Sequence, residues 1–380
     1  MKTPDVVVSE IPGSLELSLR QPWIQSAFAD GAFILAPSLL ATLAALVIAV
    51  GGRGQIGLSL WCWALLIVGV DVAHVYSTIY RTYLDRVERQ RLSAWLLGIP
   101  LTGWLIGVLL YTLDPALFWT TLAYVAVFHF VRQQYGFLMI YARRERALPA
   151  WSRRLDQIAI YGATLFPLLY WHTHLPRHFV WFIDGDFIRL PARLWTLTAP
   201  FYPTLFVAYI AKEAWLKIFR AVPLNLPRNA IVIGTALSWY AGIVLLNGDL
   251  VFTLTNVVAH GIPYMALTCI YARRRDQQRN IRLSWFLPAM LPAAIGLLLV
   301  LAFVEEGFWD GLVWREHLQL FPLFGRLPEI QDSVILSLLV PLLALPQITH
   351  YAIDGLIWRL RGNPEWRNTL FGSSTGVPAP

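Results

Sequence analysis

The sequence predicts an all-α, polytopic integral membrane bundle of about ten transmembrane helices with both termini in the cytoplasm. Three observations lead there. Of the 380 residues, 57% are hydrophobic and only 14% are charged, against roughly 25% charged in soluble domains. Apolar runs of bilayer-crossing length, about 20 residues, recur along the chain. Arginines collect after every second run rather than being spread over a surface.

The runs fall at 33–52, 57–80, 91–112, 116–141, 155–174, 198–219, 229–247, 250–272, 284–304 and 333–358. Each is expected to be a helix, because lipid offers no partner for backbone polar groups and no stretch alternates at period two as a barrel strand would. Residues 1–30 read as a polar, interfacial segment without a basic n-region or a small-residue cleavage site, so the first span is an uncleaved anchor. Residues 31–362 form one transmembrane domain with outer loops at 176–197 and 305–332, and 363–380 form a tail. Cys62 and Cys269 lie inside apolar runs and read as small buried residues, not a disulfide framework.

Loop charge orients the spans. Arg81, Arg86, Arg89 and Arg91 follow the second, and Arg143, Arg144, Arg146, Arg153 and Arg154 follow the fourth. Lys217, Arg220 and Arg228 follow the sixth, Arg273, Arg274 and Arg275 the eighth, and Arg359 and Arg361 the tenth. By the positive-inside rule these clusters face the cytoplasm of an inner-membrane protein. The formal net charge of +7 therefore reports topology and implies no nucleic-acid partner.

Four histidines, His74, His129, His260 and His350, stand on even-numbered spans, all running from outside to inside. They precede their arginine clusters by 7, 14, 13 and 9 residues, a spread of about 10 Å in depth at ~1.5 Å per residue. Ionisable residues in a membrane interior usually serve a site. Each histidine has a polar residue three or four positions away, on the same helix face: Asp71, Gln133, Asn256 and Asp354. Such groups fix the tautomer of a ligating imidazole, so four convergent imidazoles are expected to hold a transition metal. Asp71, Gln133 and Asn256 are expected behind the ligands, with Asp354, Arg132 and Tyr264 as catalytic candidates. Arg132 is expected to pair with Asp71 or Asp354, or to hold a substrate anion. Thr78, Tyr80, Gln134, Tyr135 and Tyr351 are further polar residues of these spans.

His172, His174 and His178 form a second group on the opposite side of the membrane, in an aromatic-rich segment where amphipathic rings are expected anyway. His317 reads as a surface residue of an outer loop. The chain has no paired HxxHH boxes, phosphate loop, GxGxxG or HExxH, which disfavours a zinc protease or an ATP-driven pump.

The segments DVAH with His74, VFHF with His129, NVVAHGIPY with His260 and LPQITHYAIDGLIW with His350 and Asp354 occur in an order that resembles the bacterial and archaeal β-carotene-cleaving dioxygenase family (the Brp/Blh type). The resemblance implies a multi-helical membrane enzyme that uses non-haem iron and O2 to cleave carotene to retinal. It covers about 40 residues in short stretches. Val75 and Thr78 stand where the family has a small residue and an aspartate, and Tyr264 where it tends to have a second histidine, so His350 would supply the missing ligand.

The expectation is therefore an O2-dependent oxygenase or hydroxylase with one or two Fe2+ ions at His74, His129, His260 and His350. Its substrate would be a lipophilic molecule entering from the bilayer, with a possible redox partner. The rivals are a b-type haem electron carrier, which would need histidine pairs, and a proton-coupled transporter using Asp71, Arg132 and Asp354 as a relay.

Overall fold

Apolar side chains cover much of the outside of this molecule, and polar ones gather inside it. The computed structural model describes residues 21–145, 148–279, 290–358 and 364–371, all in helices and their connections, with no strand among them. The expectations made for residues 1–20, for the tail from residue 372, and for Arg146, Arg359 and Arg361 lie outside the described residues.

Among the described residues, seven helices are long and apolar enough to cross a membrane: α1 (Ala27–Arg53), α2 (Leu60–Arg81), α3 (Ser93–Leu113), α6 (Arg193–Arg220), α7 (Leu226–Leu245), α8 (Asp249–Gln278) and α9 (Leu291–Trp314). A further pair, α10 (Ser333–Leu343) and α11 (Leu345–Ile357), meets at a bend of 41° and makes eight if counted as one broken span. Between α3 and α6 lie α4 (Pro115–Tyr141) and α5 (Ala150–Thr173). These two are as long as the others but more polar, since α4 alone carries His129, Arg132, Gln133 and Gln134. A short α12 (Pro364–Phe371) closes the described chain.

The outer helices show why a bilayer is the natural solvent. On α3, Leu97, Leu101, Leu105 and Leu109 stand exposed, as do Val207 and Ile210 on α6. In water such a sheath would be an aggregation surface; in lipid it has nothing to avoid. Local chemistry sets the helix starts. Asp114 accepts from Ala116 N at the start of α4, and Asp332 from Val334 N and Ile335 N at the start of α10, satisfying amides that have no partner in the first turn.

α9 differs from expectation. It continues through Glu305 to Trp314, well into the stretch read as outer loop, and Glu305 is buried within it. Phe308, Trp309, Leu312 and Val313 keep an apolar helical face going past the two glutamates, so the helix does not stop at the first charge. The arginine clusters also differ from plain loop charge. Arg228 is buried and bridges Glu145 at 2.8 Å and Asp156 at 3.3 Å, with Glu213 as a third partner. Arg275 reaches Asp85 and Asp276, each at 2.6 Å. Part of the positive charge that marks topology is thus engaged in buried ion pairs.

Close helix approach fixes the centre of the bundle. α2 packs against α8, α9 and α11, and α11 also meets α3 and α4. Gly261 on α8 sits so near α2 that a Cβ there would fall 2.9 Å from Val70 Cγ1. Gly107 on α3 similarly admits Pro341 of α10, where a Cβ would fall 2.7 Å from the proline ring.

Candidate metal centre

Each of four helices delivers one imidazole to the same point. α2 widens into π-helical turns over Ala64–Val72 and α8 over Leu254–Val258, just ahead of His74 and His260. A π turn holds an extra residue and re-aims the side chains after it, which is why such turns recur at functional sites. On the fourth helix, Pro346 in the first turn of α11 and Pro341 near the end of α10 offer no backbone N–H. The chain bends between them, and His350 follows one turn later. His129 comes from the middle of the unbroken α4.

The result is a closed ring of imidazoles. Centroid separations are 4.8 Å for His74–His260, 5.0 Å for His260–His129, 4.6 Å for His129–His350 and 5.0 Å for His350–His74, all edge-on. One ring nitrogen from each lies within 4.8 Å of the others, and no histidine of the four is more than 5% exposed. The Nε2 atoms of all four have no hydrogen-bond partner. A buried polar atom left unpaired costs about 1–3 kcal/mol, and four in one cluster is an arrangement that packing alone does not favour. A single ion would answer it: tetrahedral imidazole–metal bonds of ~2.0–2.1 Å set nitrogens about 3.4 Å apart, so rings whose nitrogens lie within 4.8 Å of one another would draw together by about an ångström or more.

The other side of the rings is supported unequally. His74 Nδ1 faces Asp71 Oδ1 at 3.7 Å. His350 Nδ1 bonds Thr78 Oγ1 at 2.7 Å. Asp354 stands between two ligands, 3.8 Å from both His129 Nδ1 and His350 Nδ1, and accepts from Tyr264 OH at 2.5 Å. Tyr264 OH also contacts Thr78 Oγ1 at 2.9 Å. Tyr264, Thr78 and Asp354 thus form one hydrogen-bonded bracket beneath two of the imidazoles, His129 and His350. His260 lacks such a polar partner; instead Phe130 stacks flat on its ring at 3.6 Å.

Two of the residues expected behind the ligands act elsewhere. Gln133 donates to the backbone carbonyl of His260 at 2.9 Å, tying α4 to α8 rather than supporting His129. Asn256 donates to Phe252 O at 3.0 Å, while its Oδ1 has no partner. Arg132 does not reach Asp71 or Asp354. It donates to Tyr161 OH on α5 at 2.6 Å and lies over the Tyr135 ring, because position 132 projects from the α4 face that meets α5. Thr78 and Phe130 carry roles that spacing did not single out. Both sit beside the cluster only through contacts between helices, for which sequence holds no local signal.

The second histidine group does not converge. His172 bonds Tyr124 OH at 2.9 Å and Leu168 O at 2.6 Å, and His174 stacks on Tyr170 at 3.9 Å. The backbone amide of His178 binds Asn247 Oδ1. His317 is half-buried rather than a surface residue, stacked on Trp63 at 3.9 Å. Cys62 and Cys269 are free and half-buried.

Comparison with known proteins adds no assignment to this geometry: no family model, no curated protein and no solved structure matches the chain.

Proposed function

We propose that the chain is a ten-span, inner-membrane metalloprotein with cytoplasmic termini, and that His74, His129, His260 and His350 hold one Fe2+ ion for O2-dependent oxygenation or hydroxylation of a lipophilic substrate. The observation that carries this reading is the convergence of four buried imidazoles from four helices, one ring nitrogen of each within 4.8 Å of the others and every Nε2 without a hydrogen-bond partner. The ten spans are the eight apolar ones together with α4 and α5, which bury His129 and Gln134, and Asp156 and Thr164, against neighbouring helices. One ion is favoured over two. Paired metals stand ~3.5–4 Å apart and call for bridging carboxylates, whereas here the nearest carboxylates approach only the Nδ1 side of the rings. Neutral imidazoles without thiolate suit iron, copper or zinc; iron is the choice that the resemblance of the histidine segments implies.

In this reading the protein's own residues divide the work. The four imidazoles bind the ion and leave coordination positions open. Asp71, Asp354 and Thr78 orient three of the rings, and Tyr264 holds Asp354 in place. Phe130 and Tyr351 close off the ring with aromatic surface. Iron would supply O2 activation, and the apolar walls would keep bulk water from it. The haem alternative is disfavoured by the spacing, because a porphyrin plane needs a slot between two facing histidines and the four rings occupy that space themselves.

Anaerobic reconstitution with Fe2+ tests the proposal. The expected product binds iron stoichiometrically, shows no Soret band, and gives a ferrous nitrosyl resonance signal with nitric oxide, which reports an open position. A folded protein that takes up no iron, or one that purifies with haem, overturns it.

A further inference from the structure

A cavity of about 370 Å³ runs from the histidine ring towards the connections opposite the arginine clusters. Its inner end is formed by Phe130, which stacks on His260, and by Tyr351, whose ring lies 5.0 Å from that of His129. Its outer end is formed by Trp63, Glu316 and His317, of which Glu316 is exposed. Asp71, beside His74, keeps 36% of its side-chain surface accessible although it lies in mid-helix. Asp71 is one of the residues that line the cavity.

The lining has a definite chemical bias. Three carboxylates, Asp71, Asp249 and Glu316, face it, and no lysine or arginine does, in a chain whose net charge is +7. Asn256, 2% exposed, also lines the cavity, and its Oδ1 is a buried acceptor without a donor. The remaining wall is aromatic: Trp63, Phe130, Trp181, Phe252 and Tyr351. Ring faces attract cations, carboxylates attract them more strongly, and an orphan acceptor calls for an N–H or O–H donor. A fatty acid or phosphate ester would meet repulsion here. An unsubstituted hydrocarbon would leave Asn256 Oδ1 unpaired.

We propose that this cavity is the substrate chamber and that its occupant is a small organic cation, a protonated amine on an apolar or aromatic body, admitted from the face opposite the arginine clusters. That the occupant is a substrate rests on the metal reading above; that the cavity selects cations does not.

The test uses the full chain in an uncharged detergent, with phenethylamine as probe and 3-phenylpropionate and 2-phenylethanol as anionic and neutral controls of similar shape. Binding is read by equilibrium dialysis, and metal content is measured on the same samples. The amine is expected to bind at least about tenfold more tightly than either control, a difference of ~1.4 kcal/mol. Asp249→Asn combined with Glu316→Gln should erase most of that preference. On the unaltered chain, tetramethylammonium should displace the amine and acetate should not, which keeps the inference testable if the variant fails to fold. Equal binding of the controls, or failure of tetramethylammonium to compete, overturns it. Amine selectivity in a chain that binds no metal would sustain the chamber and remove the oxygenase; bound metal with no amine selectivity would do the reverse.

Discussion

Two of the polar clusters buried in this bundle are built on opposite principles. Between α5, α6 and α7, Lys212 and Arg228 meet Asp156, Glu213 and Glu145, so each charge has an opposite one in contact. Asn225 and Asn229 bond the glutamates at 2.9 Å and 3.0 Å, and Tyr209 donates to Asn229. At the centre of the chain, by contrast, four imidazoles point partnerless nitrogens at one another. In the first cluster every charge meets an opposite one, although Arg228 Nε has no partner; in the second, the Nε2 of each ring has none. Burial of polar groups is thus not by itself a sign of function; what distinguishes the two is whether the hydrogen-bonding and charge needs are already met.

Four substitutions sharpen that contrast. Largest in effect, His129→Ala should abolish bound metal while the protein still folds, read by metal analysis of monodisperse material; full occupancy would remove His129 from the ligand set. Next, Arg228→Ala should destabilise the bundle by about 3–5 kcal/mol, because removing one partner leaves buried carboxylates uncompensated. Its thermal unfolding in detergent should shift strongly while metal bound per folded chain stays unchanged. A loss of metal without a loss of stability would mean that the two clusters are not separate in kind. Smaller again, Asp354→Asn should weaken metal affinity about 10–100-fold, the usual cost of losing a group behind a ligand, as measured by chelator competition. Smallest, Arg132→Ala should leave metal affinity unchanged, since Arg132 is engaged with Tyr161 and Tyr135 away from the ring.

Much of the centre was legible before any coordinates, and for a reason. A helix of fixed rise, anchored by arginines at one end, converts residue number into depth, so histidines 7–14 residues ahead of their clusters must lie near one level. Same-face spacing found Asp71 and Asp354. It misplaced Gln133 and Asn256, because spacing along one helix does not say which neighbouring helix a face meets. Phe130 over His260 and Thr78 on His350 are contacts between helices and leave no trace in either segment alone. The ion cluster was hidden for a related reason: Arg228 reads as loop charge until Asp156, more than seventy residues earlier, is seen against it. α4 and α5 show the converse. Their polar residues lower their hydropathy, yet His129, Gln134 and Asp156 among them are buried in the interior of the bundle.

X-ray absorption at the metal edge of the purified chain tests the central claim most directly. The account predicts a shell of imidazole nitrogens at about 2.0–2.1 Å, with multiple-scattering features from several histidine rings. A sulfur shell, a shell of oxygens alone, or a correctly folded chain that carries no metal would contradict it.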